Sequence, residues 1–209
     1  MAARRGRRLG WAALLLVAAA LPAAAEPGAV RGRASLSLAG LALADVQPVV
    51  VYLEPLDGRA PPLPPGPRPT VHQRNARFAP RFLAVAAGQT VDMPNDDAIY
   101  HNVFSYSKPN DFDLGLYPSG HSRTVTLRHP GAVRLYCSIH ESMTGAIFVA
   151  PSPWFAVVGA DGRFAIPGVP AGRYALATWS ERLPGTRREL ALRAGETLEL
   201  DVALVESAR

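Results

Sequence analysis

The chain has one cysteine, Cys137, and it sits in a stretch dense with metal-binding chemistry: Tyr136-Cys137-Ser138-Ile139-His140-Glu141-Ser142-Met143. An imidazole follows the thiol at the third position and a thioether three positions later. A thiolate, an imidazole and a soft sulfur on one short loop suit copper. Soft sulfur favours Cu(I), imidazole suits both oxidation states, and a long thioether completes a trigonal His₂Cys centre. That centre needs a second imidazole from elsewhere. His101, in Ile99-Tyr100-His101-Asn102-Val103, is the best placed of the remaining histidines. The expected ligands are therefore His101, Cys137, His140 and Met143 around one type 1 copper ion. Taken alone, Cys137 reads as an inert buried thiol, and it is the register with His140 and Met143 that turns it into a ligand; the alternative for Met143 is a core methionine beside a three-coordinate site. Met93 competes for the axial role, but its alternation with Val91 assigns it to the core.

These residues need a rigid frame, and alternation supplies one. Ala34, Leu36 and Leu38 share a face opposite Arg31, Arg33, Ser35 and Ser37, the pattern of a half-buried strand. Val49-Val50-Val51-Tyr52 reads as a strand covered on both faces, and Ala146 to Ala150 is apolar throughout. Val133, Leu135 and Cys137 share an inward face, which delivers the thiol to the end of a core. Six prolines between Ala60 and Pro69 remove donors and fix φ, predicting an extended linker. Lys108 to Ser119 reads as a loop rich in Pro, Asn, Asp and Gly. Ala160-Asp161-Gly162-Arg163 predicts a tight hairpin turn, and Leu198, Leu200, Val202 and Leu204 line one face of a last strand.

With His101-Asn102 upstream and Tyr136-Cys137-x-x-His140-x-x-Met143 near the end of a β block, roughly Val71 to Trp179 resembles a cupredoxin. Its short ligand loop is most similar to amicyanin-type members. The wider frame also resembles the periplasmic cupredoxin-domain proteins called methylamine-utilization proteins. That frame is Gln73-Arg74-Asn75, Phe78-Ala79-Pro80, Asn95-Asp96-Asp97 and Asp161-Gly162-Arg163-Phe164. The resemblance implies an Asn102–Ser138 bond tying the ligand loops together, and an apolar patch around His140 furnished by Ile139 with Pro118 or Pro109. It also marks a departure: Ile139 stands where relatives often carry a proline. The C-terminal part resembles the transthyretin-like sandwich of carboxypeptidase regulatory domains. Its opening strand pair is expected at Val30 to Leu38 and Gln47 to Leu53, so the cupredoxin block would be inserted into it. The expected fold class is all-β, a Greek-key cupredoxin sandwich plus a second, smaller transthyretin-like β-sandwich. The corresponding divisions are 1–25 signal peptide, 26–59 N-terminal strand pair, 60–69 linker, 70–151 cupredoxin domain and 152–209 the rest of the second sandwich.

The first residues read as an export signal. Arg4, Arg5, Arg7 and Arg8 precede an apolar run from Trp11 to Leu21, and Ala23-Ala24-Ala25 forms a small-residue cleavage site. Of 209 residues, 22 are Lys or Arg against 17 Asp or Glu, a net charge of +5. Without the four signal arginines the balance is 18 against 17, or +1. The basic character thus belongs to the leader, and nucleic acid is not an expected partner. No later run predicts a membrane helix. His72, His121 and His129 form no second metal cluster by spacing. Ser119-Gly120-His121-Ser122 lacks the strand–turn–helix setting of a hydrolase elbow, so an enzyme is not expected. The expected function is periplasmic single-electron transfer, with a dehydrogenase, a cytochrome or another copper protein as redox partner. Copper delivery and a non-redox structural sandwich are the alternatives.

Overall fold

The computed structural model describes residues 26–38, 40–58, 62–63 and 65–205. The expected leader, residues 1–25, and part of the proline-rich stretch lie outside these. Two β sandwiches stack against each other, each with its own core.

The metal-ligand stretch belongs to the first sandwich. Its larger sheet contains β5 (Phe82–Ala86), β7 (His101–Ser105), β8 (Phe112–Tyr117), β10 (Gly131–Tyr136) and β11 (Thr144–Ala150), numbered in chain order among the sixteen strands of the described residues. The spatial order is β5-β11-β10-β7-β8, with β5 and β11 parallel and the other pairs antiparallel. The facing layer is made of β3 (His72–Gln73), β4 (Phe78–Ala79), β6 (Thr90–Pro94) and β9 (Ser122–Thr126). Here β3 pairs with β4 and β6 with β9, and parallel bridges Thr70–Asp92 and Gln73–Asn95 join the two pairs. Between the layers lie Val85, Val91, Met93, Val103, Leu127, Val133, Leu135, Ile147 and Val149, with Cys137 and Met143 in the same cluster.

The stretch expected as a loop from Lys108 to Ser119 contains a strand, β8. Its polar residues sit on a partly exposed edge, so composition hides the ladder. Pairing with β7 is interrupted between Asn102 and Phe104, and Gly115 takes φ +64° beside that irregularity. An extra edge residue of this kind is how a sheet bends at its rim.

The second sandwich is built from both ends of the described chain. One sheet orders β13 (Arg163–Val169), β1 (Gly28–Ser35) and β16 (Thr197–Ala203). The other orders β12 (Phe155–Val157), β2 (Val49–Pro55), β14 (Gly172–Ser180) and β15 (Arg187–Leu192). β2 lies between β12 and β14, antiparallel to both, and among the described residues it pairs with no strand of the first sandwich. β1 runs antiparallel to β13 and parallel to β16. Val30, Ala34, Val49, Val51, Leu53, Ile166, Leu176 and Val202 are buried between these sheets. Regular pairing of β1 ends at Ser35, and Leu38, expected to face inward, is 42% exposed.

A third apolar cluster joins the sandwiches. Val50, Phe148 and Ala150 are buried there against Tyr52, Phe82, Ala84, Phe155 and Trp179. Alternation explains it. In β2, Val49, Val51 and Leu53 enter the second core while Val50 and Tyr52 point the other way. In β11, Ile147 and Val149 enter the first core while Phe148 and Ala150 meet β2 and its neighbours. The two strands with apolar residues on both faces are those shared between cores. Trp179 stacks on Phe82 at 5.7 Å and on Phe148 at 4.7 Å between ring centroids.

Candidate metal centre

Two strands and one turn position the site. His101 opens β7 and is fully buried. Cys137 directly follows β10 and continues the inward alternation of Val133 and Leu135, leaving it 5% exposed. The chain then turns, the Met143 N–H donates to the His140 carbonyl at 2.9 Å, and β11 begins at Thr144. The turn returns His140 to the thiol and leaves its ring partly open to solvent.

Three donor atoms converge. Cys137 Sγ lies 3.7 Å from His101 Nδ1 and 3.8 Å from His140 Nδ1. All three ligand atoms fall within 4.8 Å of one another, and the two imidazoles are 4.7 Å apart at their centroids. Metal–sulfur bonds of about 2.3 Å and metal–nitrogen bonds of about 2.0–2.1 Å, opened to between about 110° and 120°, separate sulfur from nitrogen by about 3.5–3.8 Å. The observed spacings match that range. Met143 is buried in the same apolar cluster as Cys137. Met93 is buried in β6, as its alternation predicts.

The hydrogen bonds around the cluster fix what each atom offers. His101 Nε2 is 2.8 Å from Asp97 Oδ2. Burial pushes the Asp97 carboxyl up. The Ala76 N–H, the His101 ring and the Asn75 N–H outweigh that and hold it below the ordinary carboxylate range. An ionised carboxylate only accepts, so Nε2 carries a proton and Nδ1 is the ring atom turned to the sulfur. This is the orientation a metal-binding imidazole needs. The second tie is between the loops: Asn102 Oδ1 accepts from the Ser138 N–H at 2.7 Å and from its hydroxyl at 2.9 Å. The bond expected between these residues is therefore present, in bidentate form.

Sequence reasoning placed Asp97 in the frame but missed its role as the partner of His101. Its own placement depends on a distant hairpin turn. Arg74 and Arg77 exchange backbone hydrogen bonds of 2.9 and 3.1 Å, and the two residues between them, Asn75 and Ala76, have φ of +54° and +51°. Both left-handed residues turn their N–H groups to Asp97. Asn favours such a conformation, but Ala does not, so nothing in the sequence marks Ala76 as part of this clamp. Asn95, fully buried, holds the intervening loop. Its Nδ2 donates to the carbonyls of Ile99 and Tyr117, and its Oδ1 accepts from the Asp97 N–H.

Behind β7, Tyr117 pairs with His101 in register. The Tyr117 hydroxyl donates to the Met93 carbonyl at 2.8 Å and accepts from Gln73 Nε2. Burial pushes its pKa up to about 12. The other histidines lie apart from the cluster. His72 meets Asp96 at 2.7 Å, and His121 and His129 are exposed. At the surface Ile139 is 51% exposed, with Glu141 and Ser142 beside it in sequence and also exposed.

No family model and no curated protein matches this chain. Among solved structures, its neighbours are cupredoxins matched over part of the chain. A purple cupredoxin from Nitrosopumilus maritimus is 21% identical, covering 39% of this chain and 99% of that one, with a TM-score of 0.36. A Cu(I) amicyanin variant is 20% identical over 39% of this chain and 81% of that one, TM-score 0.38. A copper-containing nitrite reductase from Thermus scotoductus SA-01 is 24% identical over 56% of this chain and 28% of that one, TM-score 0.39. Identities this low concern the fold, and the chemistry of the site rests on its own side chains.

Proposed function

We propose that this chain is a mononuclear type 1 copper protein that carries single electrons between redox partners in the periplasm. The observation that carries this reading is the convergence of His101 Nδ1 and His140 Nδ1 on Cys137 Sγ at metal-ligand spacing. Bound copper supplies the Cu(II)/Cu(I) couple. The protein's part is to keep the donors in place while the charge changes. Asp97 holds the His101 ring and its tautomer, the Asn102–Ser138 pair locks one ligand loop to the other, and the β frame resists rearrangement. Met143 is the axial thioether in this reading. His140, the only partly open member of the three-donor cluster, is the exit toward a dehydrogenase, a cytochrome or another copper protein. Among the described residues no helix is long and apolar enough to cross a membrane. Export rests on the leader read in residues 1–25.

The test is titration of metal-free protein with Cu(II). A thiolate-to-copper charge-transfer band should rise to one equivalent, and Cys137→Ser should abolish it. A reversible midpoint in voltammetry supports electron carriage, whereas ready loss of the metal to an apoprotein acceptor supports copper delivery. A band that survives in Cys137→Ser overturns the ligand set.

A further inference from the structure

A cleft of about 450 Å³ opens where the two sandwiches meet, at the root of the ligand loop. Tyr136 and Thr144 line it, and these two residues pair across β10 and β11 on either side of Cys137–Met143. The first sandwich also contributes Arg81 and Arg134; the second contributes Arg182 and Glu181. Three arginines therefore share the cleft with a single acidic residue. Glu181 is engaged with Arg134 at 3.6 Å, and neither Arg81 nor Arg182 has an ion pair among the described residues. The remaining polar side chains are rich in donors. The hydroxyls of Tyr136 and Thr144 make no hydrogen bond among the described residues. Gln47, also in the wall, accepts the Val49 N–H through Oε1 and leaves its Nε2 buried with no acceptor.

From this we infer that the inter-sandwich cleft is a binding site for a small multiply charged oxyanion bearing phosphate or several carboxylates. A guanidinium presents paired N–H donors that match the oxygens of either group, and it stays charged at any physiological pH. Two arginines without an ion pair among the described residues, one from each sandwich, favour a ligand carrying at least two negative charges. The volume lies in the range that encloses a small molecule. The site is independent of the metal donors, since none of His101, Cys137, His140 and Met143 lines it.

The test is calorimetric titration of the full-length, metal-free protein with inorganic phosphate and, separately, with citrate, at fixed ionic strength. One saturable site is expected. Arg81→Gln combined with Arg182→Gln should weaken binding at least about tenfold, as loss of charge-assisted hydrogen bonds does. Arg128→Gln combined with Arg193→Gln removes equal charge from exposed positions elsewhere and should leave binding unchanged. Cys137→Ser should also bind as wild type does, so failure of the copper reading would leave this one standing. Preference for phosphate or for citrate tells the two ligand chemistries apart. In the unsubstituted protein, the amide resonances of Tyr136, Gly145 and Arg182 should shift with the added anion. Absence of saturation with both anions at millimolar concentration overturns the inference, as does unchanged affinity in the cleft variant.

Discussion

Two side chains around the donors have measurable consequences. Asp97 accepts from the His101 ring and from two backbone N–H groups, one exposed and one half-buried, so its loss both frees the buried imidazole and removes the acceptor that ties down the β3–β4 turn. Asp97→Asn should weaken copper binding about 10–100-fold in a competition titration, the usual effect of removing a partner behind a metal-bound histidine. Unfolding in denaturant should lose about 1–3 kcal/mol. Unchanged affinity would remove Asp97 from the site. Tyr117 sets a pH dependence of stability. Its hydroxyl stays protonated in the folded protein up to about 12, above the ordinary value of 10.0, because burial disfavours the phenolate. The unfolded chain therefore releases this proton first, and stability should fall as pH rises from about 10 to about 12. Denaturation followed across that window should show a shallower alkaline decline in Tyr117→Phe, with a lower plateau at neutral pH where the Met93 carbonyl loses a donor. The converging side chains at 101, 137 and 140 were legible in sequence because their types are rare and because 137 and 140 are closely spaced. The role of Asp97 was not, because a carboxylate four residues before a histidine outside a helix carries no periodic signal.

At the scale of elements, alternation revealed strands whose two faces differ or are both apolar, and it failed where a strand is short and polar. β8 was concealed by Asp113, Gly115 and the edge position, and β3 and β4 have only two residues each. The turn joining β3 to β4 is the smallest element with a functional consequence, since its two left-handed residues aim donors at Asp97. Ala76 occupies φ +51° with a Cβ that disfavours it. Ala76→Gly should relieve that cost, offset in part by a freer unfolded chain, for a net gain of up to about 1 kcal/mol. Chemical denaturation checks this, and the copper band should not move if the N–H groups keep their direction. A loss of stability would mean that the turn is held by its side chain. Gly145 is constrained from the other side of the ligand loop: a Cβ there would lie 3.1 Å from the Arg81 carbonyl and 3.2 Å from Phe78.

For the whole molecule, the composition of β2 and β11 announced burial on both faces but could not say against what. The answer is each other's sandwich, through the cluster around Val50, Phe148 and Trp179. Trp179→Ala removes the ring that stacks on both Phe82 and Phe148. It should cost about 3 kcal/mol and split a single calorimetric transition into two, one for each core. Retention of one sharp transition would mean that the sandwiches are coupled by their other contacts. The Arg134–Glu181 pair, with both groups partly open to solvent, contributes little to that coupling.

The placement of β1 and β2 imposes an order of events on biogenesis. During synthesis both strands leave the ribosome well before β12, β13, β14 and β16 exist to receive them. The copper-module candidate between them can close on itself in the meantime, while two sticky edges wait. The N-terminal segment therefore has no partner strands from the second sandwich until translation is nearly over. Stalling late in the message should yield a product whose middle is protected from protease and whose leading strands are cut.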